Sequence, residues 1–175
     1  MRKLERFENL VAMFFARARE QGDKPFLWRK EKGQWVSQSW AETARQVASL
    51  AAGLKALGLK PGDRVMLVSE NRPEWCVSDL AIMAAGCITV PTYTTNTERD
   101  HHHIIENSGA CAIIVSTEKL AKTLLQPPQH LAHEPRAAID QRTVDLHQRS
   151  TGIEPRLRLV GAADPADRDQ RQPPA

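Results

Sequence analysis

Several patterns that would reveal a protein's chemistry are missing from this sequence. No GxGxxG or GK[ST] pattern occurs, and the nine glycines are too widely spaced to build a phosphate-binding loop. No serine lies in a GxSxG context, and the three cysteines form no CxxC pair. The longest apolar run is too short to span a bilayer. These absences argue against a dinucleotide fingerprint, a P-loop, an α/β-hydrolase nucleophile and a transmembrane segment.

The last part of the chain also lacks what a core needs. Residues 126–175 contain no lysine and no aromatic residue, yet they hold seven of the eleven prolines. Such a segment has little apolar surface with which to offset the entropy lost on ordering. Its seven arginines alternate with acidic residues, which is typical of a solvated coil and not of a nucleic-acid-binding arm. The sequence therefore predicts a disordered Arg/Pro-rich tail from residue 126 and no nucleic-acid partner.

Residues 1–125 are different, because they alternate between helical and strand patterns. Ser39 and Glu42 form a predicted capping box, and Pro73 stands where the first turn of a helix tolerates it. The predicted elements are a helix over 8–21, a hairpin over 26–38, a helix after Ser39, a strand over 64–69, a helix over 73–85, a strand over 87–93, a helix from Thr97 to Asn107, a strand over 111–116 and a helix over 117–125. The β-α-β-α-β order favours an α/β fold with three layers.

Three adjacent histidines, His101, His102 and His103, suggest a metal site. Successive residues of a helix point about 100° apart, so these three side chains cannot converge on one ion. His102 and Glu106 are spaced i, i+4, but no HExxH pattern and no nearby cysteine completes a ligand set. We expect the histidines to begin a scaffold helix without a metal.

The cysteines are expected to be small buried hydrophobes in a reducing cytosol. Cys87 and Cys111 lie in apolar runs, and Cys76 follows Trp75 within a predicted helix. An apolar setting raises the pKa of a thiol, which argues against a reactive Cys76. The first residues do not match a secretory signal peptide. These features predict a cytoplasmic protein.

Four units of the sequence, in order, suggest a family. These units are GLKPGDRV, SENRPEW, GCITVPTYTTNT and HIIENSGA. Together they resemble the N-terminal part of the adenylate-forming (AMP-dependent) synthetases, most closely the bacterial long-chain fatty acid–CoA ligases. The resemblance covers about residues 1–125. It implies the first strands and helices of the family's large N-terminal domain, that is, a partial three-layer α/β/α fold. It also implies a fatty acid, ATP, Mg²⁺ and coenzyme A as the reactants of the full-length family, with acyl-AMP as the intermediate.

The same resemblance shows which parts of the family pattern this chain lacks. The family's Ser/Thr/Gly-rich phosphate loop and its adenylation lysine lie outside the matched region, and the tail contains no lysine. No catalytic, cofactor-binding or metal residue is therefore assigned to this chain. We expect a ligase fragment that is inactive alone. The hypothesis for its tail is either a frame-shifted reading of a GC-rich gene or a mispredicted end.

Two other functions remain open at this point. A stand-alone α/β module could bind a ligand at the carboxyl edge of its sheet without catalysing a reaction. An interaction protein could use the Arg-rich tail to bind acidic partners. Association with a membrane is open as well.

Overall fold

The computed structural model describes residues 5–125 and 137–140 and confirms an α/β fold. The chain divides into two compact units. The first combines the residues up to 62 with residues 71–88, and the second combines residues 63–70 with the described residues from 89 onwards. The first, the hairpin unit, contains α1 (Leu10–Gln21), β1 (Pro25–Glu31), β2 (Gln34–Ser39), α2 (Trp40–Ala56) and α3 (Pro73–Ala84). The second, the sheet unit, contains β3 (Arg64–Val68), β4 (Ile88–Thr92), α4 (Glu98–Ser108), β5 (Ala112–Val115), α5 (Glu118–Leu125) and β6 (Ala137–Asp140).

An aromatic cluster holds the hairpin unit together. Trp40, the first residue of α2, stacks on Phe26 of β1 with ring centroids 3.6 Å apart. Phe14 of α1 lies 6.0 Å from the Trp40 ring and 6.1 Å from the Phe26 ring. Large aromatic side chains bury much apolar surface, so this cluster ties a helix and the hairpin to the start of α2.

The predicted capping box at the start of α2 is confirmed. Ser39 Oγ accepts a hydrogen bond from the Glu42 amide at 3.1 Å, and Glu42 Oε2 accepts one from the Ser39 amide at 3.3 Å. The buried residues of α2 recur at helical spacing and lie on one face: Thr43, Val47, Leu50, Ala51 and Leu54. Pro73 begins α3, as the sequence predicts.

The sheet unit is built on four strands in the order β4-β3-β5-β6, with β3, β5 and β6 parallel. Met66 lies opposite Ile113 and Val68 opposite Val115. One core cluster joins this face of the strands to α4 and α5: Met66, Val68, Ile105, Ala110, Ile113, Val115, Ala121 and Leu124. The residues of the other face, Val65, Leu67, Ala112 and Ile114, are also buried. Near-continuous apolar runs of this kind are typical of parallel strands.

Part of the predicted tail departs from the expectation. Ala137–Asp140 form β6, which pairs in parallel with β5 and brings Ile139 opposite Ile114. The prediction of a disordered tail rests on the composition of some fifty residues. A composition averaged over that length does not reveal a strand of four residues that forms backbone hydrogen bonds with the open edge of β5. The other residues of the tail lie outside the described part of the chain. A domain boundary near residue 125 stays a prediction.

The turn that ends α4 provides a first test of the structure. Gly109 has φ of 63° and ψ of 35°, the left-handed conformation that glycine adopts most readily. A Cβ at this position would lie 3.0 Å from Nη2 of Arg64. We expect Gly109→Ala to lower the free energy of unfolding by about 1–2 kcal/mol, measured by urea denaturation.

Gly109→Asn is the matched control for this turn, because asparagine tolerates the left-handed region better than alanine. A smaller loss for Asn than for Ala is expected. Equal stability of Gly109→Ala and the original chain would show that the backbone at this turn is not left-handed.

Candidate functional site

The order of the strands in the sheet unit creates a switch point between β3 and β5. The chain that leaves β3 returns on β4, on one side, whereas the chain that leaves β5 reaches β6 on the other side. In open α/β sheets, ligands bind in the crevice that such a reversal leaves at the carboxyl ends of the strands. The residues that follow β3 and β5 therefore form the candidate site.

Hydroxyl groups occupy this edge. Ser116 follows β5, and its amide donates to the Val68 carbonyl at 3.1 Å, which extends the ladder by one residue. The Ser116 hydroxyl is completely buried and has no hydrogen-bond partner among the described residues. The nearby Ser69 is also buried, and its hydroxyl donates to the Glu70 carbonyl at 3.0 Å. Sequence patterns missed Ser116, although its place after a buried strand could have indicated it.

The helix that follows β5 is already capped by a neighbour of Ser116. Thr117 Oγ1 accepts a hydrogen bond from the Leu120 amide at 3.2 Å, and Glu118 places a carboxylate in the first turn of α5. Glu70 is exposed after β3. The exposed Glu70 carboxylate disfavours a phosphate at this edge, since like charges repel, whereas the Glu118 carboxylate is paired with Lys122 Nζ at 2.8 Å. The Ser69 hydroxyl donates to a backbone carbonyl, and the Ser116 hydroxyl has no partner among the described residues. Neither is hydrogen-bonded to a base that would activate it, so both can position a ligand but are not activated nucleophiles.

The three histidines lie in α4, as predicted, after a capping box formed by Thr97 and Asp100. Their exposures differ: His101 is buried, His102 partly buried and His103 exposed. Within residues 5–125 and 137–140, no three His, Cys, Asp or Glu side chains are arranged to hold a metal ion. Burial lowers the pKa of His101, opposed by Asp100, which raises it, while His102 lowers it further.

The other candidate nucleophiles are scaffold residues. None of the three cysteines forms a disulfide, and burial raises the pKa of the Cys76 thiol, with a further contribution from Asp79. This direction is the one predicted from the sequence. Ser78 is buried in α3. Neither residue has the surroundings that would activate it.

Two shallow grooves flank the hairpin of the hairpin unit. One is polar, has a volume of about 200 Å³ and is lined in part by Arg29, Gln38, Glu42 and Gln46. The other has a volume of about 360 Å³ and is mostly apolar; its lining consists of Leu27, Trp28, Asn71, Arg72, Pro73, Trp75 and Cys76. In this second groove, Arg72 Nε forms an ion pair with Glu74 Oε2 at 2.8 Å. In the part of the chain that the structure describes, no helix is both long and apolar enough to cross a membrane.

A family model and curated relatives indicate the same family for this chain. Residues 14–174 match the family model described as AMP-binding enzyme, a span that runs beyond residue 125. The long-chain-fatty-acid–CoA ligase FadD15 of Mycobacterium tuberculosis is 36% identical over 114 residues, which are 65% of this chain and 19% of the ligase. The human mitochondrial acyl-coenzyme A synthetase ACSM5 is 33% identical over 117 residues, covering 63% of this chain and 20% of the synthetase. The chain thus spans about a fifth of the length of these curated relatives.

Solved structures agree with this result. A fatty acid AMP ligase from Legionella pneumophila has a TM-score of 0.60 at 26% identity, covering 67% of this chain and 21% of the ligase. The N-terminal subdomain of Klebsiella oxytoca NpsA, in complex with 3-hydroxyanthranilyl-AMSN, has a TM-score of 0.66 at 22% identity, covering 87% of this chain and 36% of the subdomain. The second likeness shows the fold alone.

Proposed function

Because the chain belongs to the AMP-binding enzyme family, we propose that it is a segment of an ATP-dependent long-chain fatty acid–CoA ligase. The observation that carries this proposal is the 36% identity over 114 residues to a long-chain-fatty-acid–CoA ligase. In the proposed reaction of the complete enzyme, a fatty-acid carboxylate attacks the α-phosphate of ATP and gives acyl-AMP with release of pyrophosphate. The thiol of coenzyme A then displaces AMP and gives the acyl thioester. Three cysteines that form no disulfide with one another support a proposed cytoplasmic location.

We propose further that this chain does not catalyse the reaction alone. Adenylation develops negative charge on phosphate oxygens, and enzymes stabilise such charge with cations, amides or bound Mg²⁺. The described residues do not fit these groups: no three His, Cys, Asp or Glu side chains among them could hold a metal ion, and the edge between β3 and β5 presents hydroxyls and the exposed carboxylate of Glu70. The sequence supplies neither a glycine-rich phosphate loop nor a lysine after residue 125. ATP, Mg²⁺ and coenzyme A are therefore proposed for the complete enzyme only.

Pyrophosphate release tests the proposed inactivity of the chain. The purified chain is incubated with ATP, Mg²⁺ and a mixture of fatty acids, and pyrophosphate is measured with and without the acids. We expect no fatty-acid-dependent release, whereas an intact long-chain fatty acid–CoA ligase in the same buffer gives a clear signal. Turnover by this chain would contradict the proposed inactivity and would place a nucleotide site within its 175 residues.

The substrate assignment is tested separately from inactivity. The corresponding segment of an intact ligase is replaced by residues 14–125 of this chain, and the hybrid is assayed with fatty acids of different length and with aromatic acids. Adenylation of long-chain acids supports the proposal that this segment belongs to such a ligase. A correctly folded hybrid that adenylates only aromatic or short acids would contradict it.

The origin of residues 126–175 stays a prediction. Their loss of lysine and aromatic residues motivates the frame-shift hypothesis, whereas a family match that runs to residue 174 weighs against it. The coding DNA decides between the two. If no other reading frame beyond codon 125 resumes a synthetase-like sequence, the hypothesis is wrong.

A further inference from the structure

The β1–β2 hairpin exposes two tryptophans on the same face. Trp28 lies opposite Ser37, and Lys30 lies opposite Trp35. Directly opposed residues share a face, and side chains along a strand alternate between faces. Trp28, Lys30, Trp35 and Ser37 are therefore contiguous and form one surface, called here the tryptophan face. Trp28 and Trp35 are diagonal neighbours on it, with 53% and 67% of their surface exposed.

The opposite face of the hairpin is the one used for packing. Leu27, Arg29 and Gln38 are partly buried there. Gln38 Nε2 donates to Gln46 Oε1 of α2 at 2.8 Å and to Thr43 Oγ1 at 3.1 Å. These contacts fix which face points inward. Among the described residues, Lys30 and Trp35 of the tryptophan face are exposed to solvent, and Trp28 keeps 53% of its surface exposed although it also lines the apolar groove beside Trp75.

Positive charge accompanies the exposed aromatic rings. Lys30 lies on the tryptophan face, and Lys32 lies in the turn with φ of 46°. Neither amine is within ion-pair distance of a carboxylate among the described residues. The charges on the packing face are paired instead, because Arg29 forms ion pairs with Glu31 and, at 3.8 Å, with Glu74. The exposed surface therefore combines apolar rings with uncompensated cations.

We propose that the tryptophan face docks on the surface of an anionic lipid bilayer. Tryptophan prefers the headgroup region, where its ring is apolar and its N–H can still hydrogen-bond. Lysines next to such rings are attracted to anionic headgroups. A second copy of the chain fits this surface less well, since a two-fold contact would bring Lys30 and Lys32 of both copies together. Two rings and two amines give weak, reversible binding and not insertion. This inference does not depend on the proposed reaction, and binding is measured without ATP.

Vesicle sedimentation of the full chain tests the proposal. The probes are vesicles of phosphatidylcholine alone and of equal parts phosphatidylcholine and phosphatidylglycerol. We expect binding to the anionic vesicles only, with a loss of about tenfold in affinity between about 0.05 M and about 0.5 M NaCl. The double variant Trp28→Ser, Trp35→Ser is expected to lose at least about tenfold in affinity.

Matched variants separate this surface from general effects of charge and apolar area. Lys30→Glu with Lys32→Glu should abolish binding, whereas Arg45→Glu with Lys55→Glu, on exposed positions of α2, changes the net charge equally and should reduce binding much less. Leu57→Ser, which removes an exposed apolar side chain elsewhere in the hairpin unit, should leave binding unchanged. Circular dichroism checks that each variant is folded.

Three results would overturn the proposal. The first is the absence of binding to anionic vesicles at low salt. The second is equal binding by the folded Trp28→Ser, Trp35→Ser variant. The third is tryptophan-dependent dimerisation in sedimentation experiments without vesicle binding, which would make this face a contact between copies.

Discussion

Replacing Ile113 by alanine should lower the free energy of unfolding by about 2–5 kcal/mol, which is a large effect for a single substitution. Ile113 is completely buried in β5, opposite Met66, and belongs to the core cluster that joins the sheet to α4 and α5. Removing its side chain forfeits apolar transfer energy and leaves a cavity in close-packed surroundings. The loss is measured as the shift of the urea midpoint at an unchanged m-value.

Two control variants give this result its meaning. Ile113→Val removes one methylene and should cost about 0.5–1.5 kcal/mol. Ile88→Ala makes the same deletion in β4, where half of the isoleucine surface is exposed (52%), and should cost clearly less than Ile113→Ala. If Ile88→Ala and Ile113→Ala were equally destabilising, Ile113 would not lie in the core.

Replacing His101 by leucine should stabilise the protein, by about 1–3 kcal/mol at about pH 7.5. His101 is 1% exposed, and neither of its ring nitrogens has a hydrogen-bond partner among the described residues. A buried polar group without a partner carries a desolvation cost that a leucine of similar size does not. Urea denaturation of the two proteins measures the gain.

The same substitution should alter how stability depends on pH. Burial lowers the pKa of His101 below its ordinary value in the folded state. The unfolded chain then binds a proton that the folded chain resists, so stability falls as the pH drops below about 6.5 and continues to fall until the folded pKa is reached. We expect the advantage of His101→Leu to be larger at about pH 5.5 than at about pH 7.5.

The exposed neighbour His103 provides the control for this experiment. His103→Gln should change stability by less than about 0.5 kcal/mol, as is usual for surface substitutions. A stability advantage of His101→Leu that is the same at both pH values would mean that the His101 ring is solvated in the folded protein.

Local patterns predicted most of the secondary structure because they depend on residues that are near in sequence. Thr97 and Asp100 cap α4, and Ser39 and Glu42 cap α2, through contacts that span three residues. The boundaries of helices and strands differ from the expected ones by one or two residues, as at α1, which begins at Leu10 and not at Glu8. Such shifts are normal at the ends of elements.

The candidate site was less accessible to sequence patterns. Ser116 lies at the switch point only because β3 and β5 are neighbours, and their pairing joins segments nearly fifty residues apart. His101 was expected in a scaffold helix, but which of three adjacent histidines is buried depends on how α4 packs against the rest of the fold. The tryptophan face likewise depends on the register of the hairpin, which fixes the side chains that share a surface.

The sequence by itself determined the helices, the strands, the family resemblance and the lack of a phosphate loop, because each of these is written in short runs of residues. Only the tertiary structure decided the order β4-β3-β5-β6, the addition of β6 to the edge of β5, the burial of His101 and Ser116 and the exposure of Trp28 and Trp35. The physical reason is that burial and strand pairing depend on contacts between distant parts of the chain. Such contacts cost loop-closure entropy and gain buried apolar area, and a short run of residues contains information on neither.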